Sequence, residues 1–92
     1  MRFKFDRKKS EILRRNPKRK IGFEEVQEIW KHPHYEDIRS DDPEQFRAIG
    51  WVKGILYSVV FEMRKDRQGE YIHLVTLWKS TPQEKKLYEE HT

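Results

Sequence analysis

Ribose carries its own nucleophile in the 2′-hydroxyl. Cutting an RNA strand therefore asks a protein only for a base, a proton for the leaving oxygen, and cations for the charge that gathers on phosphorus. Histidine, lysine and arginine on an open sheet face would suffice, and an aromatic ring that stacks on a base would add orientation. His73 and Lys79 lie in one stretch, Tyr71 to Lys79, that reads as a strand. Simple alternation puts Tyr71, His73, Val75, Leu77 and Lys79 on one face, and Ile72, Leu74, Thr76 and Trp78 on the other. Arg47 shares a face with Gln45 and Ile49, but whether that face meets His73 depends on a register the sequence leaves open. Each residue also has a commoner fate: a strand histidine is packed or solvated, a strand-end lysine is solvated, and Trp78 and Trp30 belong to a core. The basic run Lys18, Arg19 and Lys20 reads most simply as an exposed loop.

Other chemistries have less support. The chain has no cysteine, which excludes disulfides and thiolate metal sites. His32 and His34 flank Pro33 close to Glu36 and Asp37, a weak zinc-like grouping of a kind usually found on solvated loops. No serine or threonine is flagged as a nucleophile with its base, and the scattered glycines make no phosphate-cradling loop. No metal or cofactor is expected. No run is apolar enough to span a bilayer, and the first residues lack the apolar segment of a signal peptide, so a cytoplasmic address is expected.

The charge is unevenly spread. The net value is +4, but residues 1–20 carry +8, residues 21–50 carry −5, and the rest carry +1. A basic end beside an acidic middle can bind a polyanion or simply make a dipolar surface.

The elements that would position these groups can be read from pattern. Ninety-two residues, with twelve aromatics to bury, make one domain over 1–92. Arg2 to Asp6 alternates as a short strand, and Asp6 can cap a helix over Arg7 to Arg15 whose main apolar contacts are Ile12 and Leu13. Pro17 stops it, and Gly22 marks a turn. Phe23, Val26, Ile29 and Trp30 share one face of a second helix over Phe23 to Lys31. His34 to Ser40 reads as an edge strand, Ser40 to Pro43 as a turn, and Gln45 to Lys53 as a strand ending at a tight Gly54 connection. Ile55 to Met63 is the most apolar run and the central strand, and Arg64 to Glu70 a polar hairpin loop before the strand from Tyr71. Thr81, Pro82 and Glu84 form a capping box for a last helix docked by Leu87 and Tyr88. The expected class is α+β: a short N-terminal strand, two helices, an antiparallel meander and a C-terminal helix.

Taken in order, these motifs resemble the BrnT family of toxins, which share the RelE-like fold. The resemblance rests on Phe3–Lys4–Phe5–Asp6 with Lys9, on Gly22 to Trp30, on Ala48–Ile49–Gly50 with Ile55 to Phe61, and on Lys79–Ser80–Thr81 with Glu84 and Tyr88. It covers nearly the whole chain. It implies a metal-independent endoribonuclease that stops translation as half of a type II toxin–antitoxin pair. A small DNA-binding antitoxin would neutralise it, and operator DNA would be reached only through that partner. The sequence departs from the family pattern in places. Lys18–Arg19–Lys20 stands where the family has Lys-His, Arg47 lies two residues beyond the family's strand-opening arginine, and His73 and Trp78 occupy arginine positions, while Lys79 matches.

On this reading Arg19, Lys20, Arg47 and Lys79 hold the phosphate or stabilise its charge. His73 serves as base or acid, and Lys18 and Trp78 bind the RNA. Two other readings stay open: a catalytically diverged toxin-like module that only binds a partner, and a general nucleic-acid binder that uses the basic N-terminus.

Overall fold

Asp6 starts the first helix as its side chain suggests, accepting the Lys9 amide at 3.1 Å. In the computed structural model, which describes residues 1–92, the elements follow in chain order. They are β1 (Phe3–Lys4), α1 (Arg7–Arg15), α2 (Phe23–Val26), β2 (Tyr35–Asp41), β3 (Glu44–Val52), β4 (Ile55–Asp66), β5 (Gly69–Lys79) and α3 (Pro82–His91). The second helix is shorter than expected, since Gln27–Lys31 tightens into a 3-10 turn. That turn still places Ile29 in the core, against Gly50 of β3. A Cβ on Gly50 would come within 2.9 Å of the Ile29 side chain.

The fold is α+β, with the short N-terminal strand, the helices and the C-terminal helix in the expected order. One mixed sheet runs β1–β5–β4–β3–β2. The strands β2 to β5 form the antiparallel meander, and β1 joins its far edge parallel to β5. The apolar run on β4 takes the middle of the sheet and β2 an edge. The hairpin between β3 and β4 turns on Lys53 and Gly54, both at positive φ, the backbone a two-residue turn of matching twist requires. The next hairpin is longer than its polar sequence suggests: pairing continues to Asp66 opposite Gly69, so the loop shrinks to Arg67 and Gln68.

One face of the sheet carries the core. Leu13, Ile21, Phe23, Val26 and Ile29 pack on Ala48, Val52, Tyr57, Val59, Phe61, Ile72, Leu74 and Leu77. Phe3, Trp30, Phe61 and Phe46 make a chain of ring contacts at 5.2 to 5.5 Å. Of the two apolar residues expected to dock α1, only Leu13 does so; Ile12 is exposed. A buried Ser10 ties α1 to α2, donating to Glu24 and accepting the Phe23 amide at 2.8 Å. Arg14 reaches Glu11, Glu24 and Glu25. Part of the basic N-terminus is thus spent on structure: Arg2 and Lys4 pair with Asp66, and Arg15 with Glu11.

Candidate nucleic-acid interface

The second sheet face is covered by α3 only at one end, and its composition is set by a bulge. Val60 pairs with Thr76 and Phe61 with Leu74, which leaves Val75 as an extra residue on β5. An extra residue shifts the alternation by one. Ile72, Leu74 and Leu77 therefore all face the core, while His73, Thr76 and Trp78 face the other way. The expectation that His73 and Lys79 share a side is corrected by this shift. Lys79, opposite Tyr57, falls on the core side of the sheet. It also lies six residues along the strand from His73, roughly 20 Å away.

The register question left open by the sequence resolves in favour of a shared face for Arg47 and His73. Gln45 donates to Glu62 at 2.7 Å, and Glu62 sits opposite His73. Arg47 lies on the same face, opposite Val60. It is not a free cation, however. Its guanidinium donates to Asp37 through Nε at 3.0 Å and through Nη2, and to Glu84 at 3.3 Å. The proximity of Asp37, above all its hydrogen bonds, holds the Arg47 pKa above its ordinary value. Burial pushes the Glu84 carboxyl up, but hydrogen bonds from the Thr81 amide and the Trp78 indole, with Arg47 nearby, outweigh it and hold it low.

Trp78 is likewise committed, since its Nε1 donates to Glu84 at 2.9 Å. Its ring carries the guanidinium of Arg39 at 5.0 Å from the centroid. Arg39 is the extra residue of a second irregularity, between Ile38 and Ser40 on β2. It is exposed and has no carboxylate partner. Sequence reading missed it, because a lone arginine in an edge strand carries no signal until two bulges bring it over the indole.

His73 is half-buried at the open end of this face, beside Lys4 of β1. Both Glu62 oxygens are taken, one by Gln45 and the other by Arg64 at 2.6 Å. The imidazole has no hydrogen-bond partner within the protein, and neither of its ring nitrogens is sealed from solvent. Burial lowers its pKa, Arg64 and Lys9 lower it further, and Glu62 opposes them. The balance favours the neutral form of the ring, the form able to accept a proton.

The remaining candidates gather elsewhere. Asn16 organises the turn after α1, its side chain accepting the Lys18 amide at 2.8 Å and its carbonyl the Arg19 and Lys20 amides. Lys20 takes φ +69°. Arg19 is pinned to the end of the sheet: its Nε donates to the Leu77 carbonyl at 2.9 Å, and its own carbonyl accepts the Tyr57 hydroxyl at 2.6 Å. Leu77 and Tyr57 flank Lys79, so Arg19 and Lys79 are neighbours at the end of the core face. The seven candidates thus divide. His73, Arg47 and Trp78 share the open face, and Lys18, Arg19, Lys20 and Lys79 form a basic end beyond it.

No family model matches the chain, and no curated protein sequence matches it.

Proposed function

We propose that this chain is an RNA-cleaving toxin of the BrnT kind, with RNA lying across the open sheet face and His73 as the base. The observation that carries this reading is a half-buried imidazole without a hydrogen-bond partner, opposite Glu62 on the part of the sheet face that α3 leaves open. In this mechanism His73 takes the proton of the 2′-hydroxyl, and that oxygen attacks the adjacent phosphorus. Arg64 and Lys9 stabilise the charge that develops, and the 5′-oxygen leaves with a proton from solvent. The products are a 2′,3′-cyclic phosphate and a 5′-hydroxyl, and the reaction needs no metal.

The other residues then take different parts from those their types suggest. Arg47 and Glu84 hold α3 and Trp78 in place, Trp78 supports Arg39, and Arg39 meets the phosphate backbone. Lys18, Arg19, Lys20 and Lys79 extend the basic track beyond the site. The element order agrees with what the family resemblance implies, and with it come the expected partners: a small DNA-binding antitoxin, and operator DNA only through it. Expression of the chain alone should arrest growth and fragment RNA, His73→Ala should abolish both, and co-expression of the neighbouring small gene should relieve them. Normal growth with intact RNA would sink the proposal.

A second reading is favoured by the locked Arg47 and by Trp78 standing at a family arginine position. It makes the chain a diverged module that binds its partner without cutting RNA. On that reading His73→Ala changes nothing.

A further inference from the structure

At the end of the sheet far from His73, an open pocket of about 530 Å³ lies between the β3–β4 turn and the start of α3. Trp51, Ile55, Leu56 and Pro82 give it an apolar wall; Lys85 lines it from α3, on the Trp51 side, and Lys79, the last residue of β5, lines it from the core side. Trp51 is 45 % exposed, an unusual state for the largest apolar side chain. Its orientation is fixed from behind by Tyr88, whose ring meets it edge-on at 90° with 6.1 Å between centroids. The pocket walls are also fixed, by the positive-φ turn at Lys53 and Gly54 and by the capping box of Thr81 and Glu84. Neither lysine is among the ion pairs, which reach only Arg2, Lys4, Arg14, Arg15, Lys31, His32, His34, Arg47 and Arg64, so both ammonium groups are available to a ligand.

A preformed indole face asks for a flat apolar group, and two unpaired ammonium groups at its rim ask for an anion. A volume in the range of small-molecule sites gives room for both in one ligand. We infer that this pocket is a nucleotide subsite: a base of single-stranded RNA stacks on Trp51, and its phosphate sits at the end of the sheet, where Lys85 approaches from the Trp51 side and Lys79 from the core side. It deepens the RNA reading above, resting on it for the source of the nucleotide but not for the binding itself. Lys79, which the bulge removes from the His73 face, then acts several nucleotides from the scissile bond. An acidic peptide would satisfy the lysines but makes no use of the exposed indole.

The test is to titrate the full chain with adenosine 5′-monophosphate while following the three indole N–H signals by NMR. The Trp51 signal should shift in a saturable way, and adenosine and inorganic phosphate should each bind at least tenfold more weakly. Trp51→Ala should weaken nucleotide binding about tenfold or more, the range of one base-stacking contact, and Trp51→Phe should retain most of it. Lys79→Ala with Lys85→Ala should erase the preference for the monophosphate over adenosine. An unmoved Trp51 signal, equal binding of inorganic phosphate or of a short polyglutamate, or full affinity in a folded Trp51→Ala chain would each overturn the inference. His73→Ala should leave this binding intact, so a chain that binds the nucleotide but cuts no RNA would sink the nuclease and keep the subsite.

Discussion

Replacing Arg47 with alanine should loosen the protein before it touches any chemistry. The guanidinium is the only cation between Asp37 and Glu84, with its side chain 19 % exposed and those of its partners 24 % and 7 % exposed. Removing one partner of a fully buried ion pair costs about 3–5 kcal/mol, because the other charge is left without compensation. Here Asp37 keeps the Tyr35 hydroxyl at 3.1 Å, and Glu84 keeps the Thr81 amide and the Trp78 indole. Partial exposure and these remaining donors bring the expected loss down to about 2 kcal/mol. A domain of this size has a total stability of roughly 5–10 kcal/mol. With a urea dependence of about 1 kcal/mol per molar, the unfolding midpoint should fall by about 2 M. Arg47→Met combined with Asp37→Leu removes the Asp37 charge but leaves Glu84 with only the Thr81 amide and the Trp78 indole, so it should recover part of the loss. A midpoint unchanged by Arg47→Ala, or a double variant no better than the single one, would refute the view that this network fastens α3 to the sheet.

With His73 as the proposed base, the cleavage rate should fall as pH drops through its pKa, and that limb should lie below the ordinary value of 6.5. Arg64→Ala removes a cation that lowers the imidazole and frees Glu62, which raises it, so a pH–rate profile of that variant should show the limb moved up. Arg39→Ala should leave stability within about 0.5 kcal/mol, since the side chain is exposed. In RNA-binding titrations at several salt concentrations it should weaken affinity across sequences and reduce the salt slope by about 1. Gly22→Ala would place a Cβ 2.4 Å from Ser10 Oγ, 2.6 Å from Arg14 Nη2 and 2.9 Å from the Ser10 carbonyl. The cost should be about 1–3 kcal/mol, read as a fall in melting temperature by differential scanning calorimetry.

Local chemistry made much of the fold legible in the sequence. Asp6, Thr81, Glu84, Gly54 and Pro82 each act within a few residues of themselves, and the caps and turns stand where those residues put them. The apolar run from Ile55 named the central strand because burial on both faces leaves no alternation to misread. The candidate site was less legible, for one physical reason. A bulge is an agreement between two strands, and nothing in His73 to Lys79 alone marks Val75 as the residue without a partner. That one insertion removed Lys79 from the face of His73 and brought Trp78 to it. Arg47 was legible as a cation but not as a paired one, since Asp37 and Glu84 come from elements ten and thirty-seven residues away. Ile12 shows the same limit: helical spacing offers two neighbours to the core, and only packing decides that Leu13 enters.

Whether His73 cleaves RNA on the open sheet face is tested most directly by the ends of the cut. The purified chain should be incubated with RNA, alone and with translating ribosomes, in the presence of a metal chelator, beside the His73→Ala variant. The account predicts fragments ending in 2′,3′-cyclic phosphate and beginning with 5′-hydroxyl, unaffected by the chelator and absent with the variant. Intact RNA in every wild-type reaction, or equal cleavage by folded His73→Ala, would contradict it.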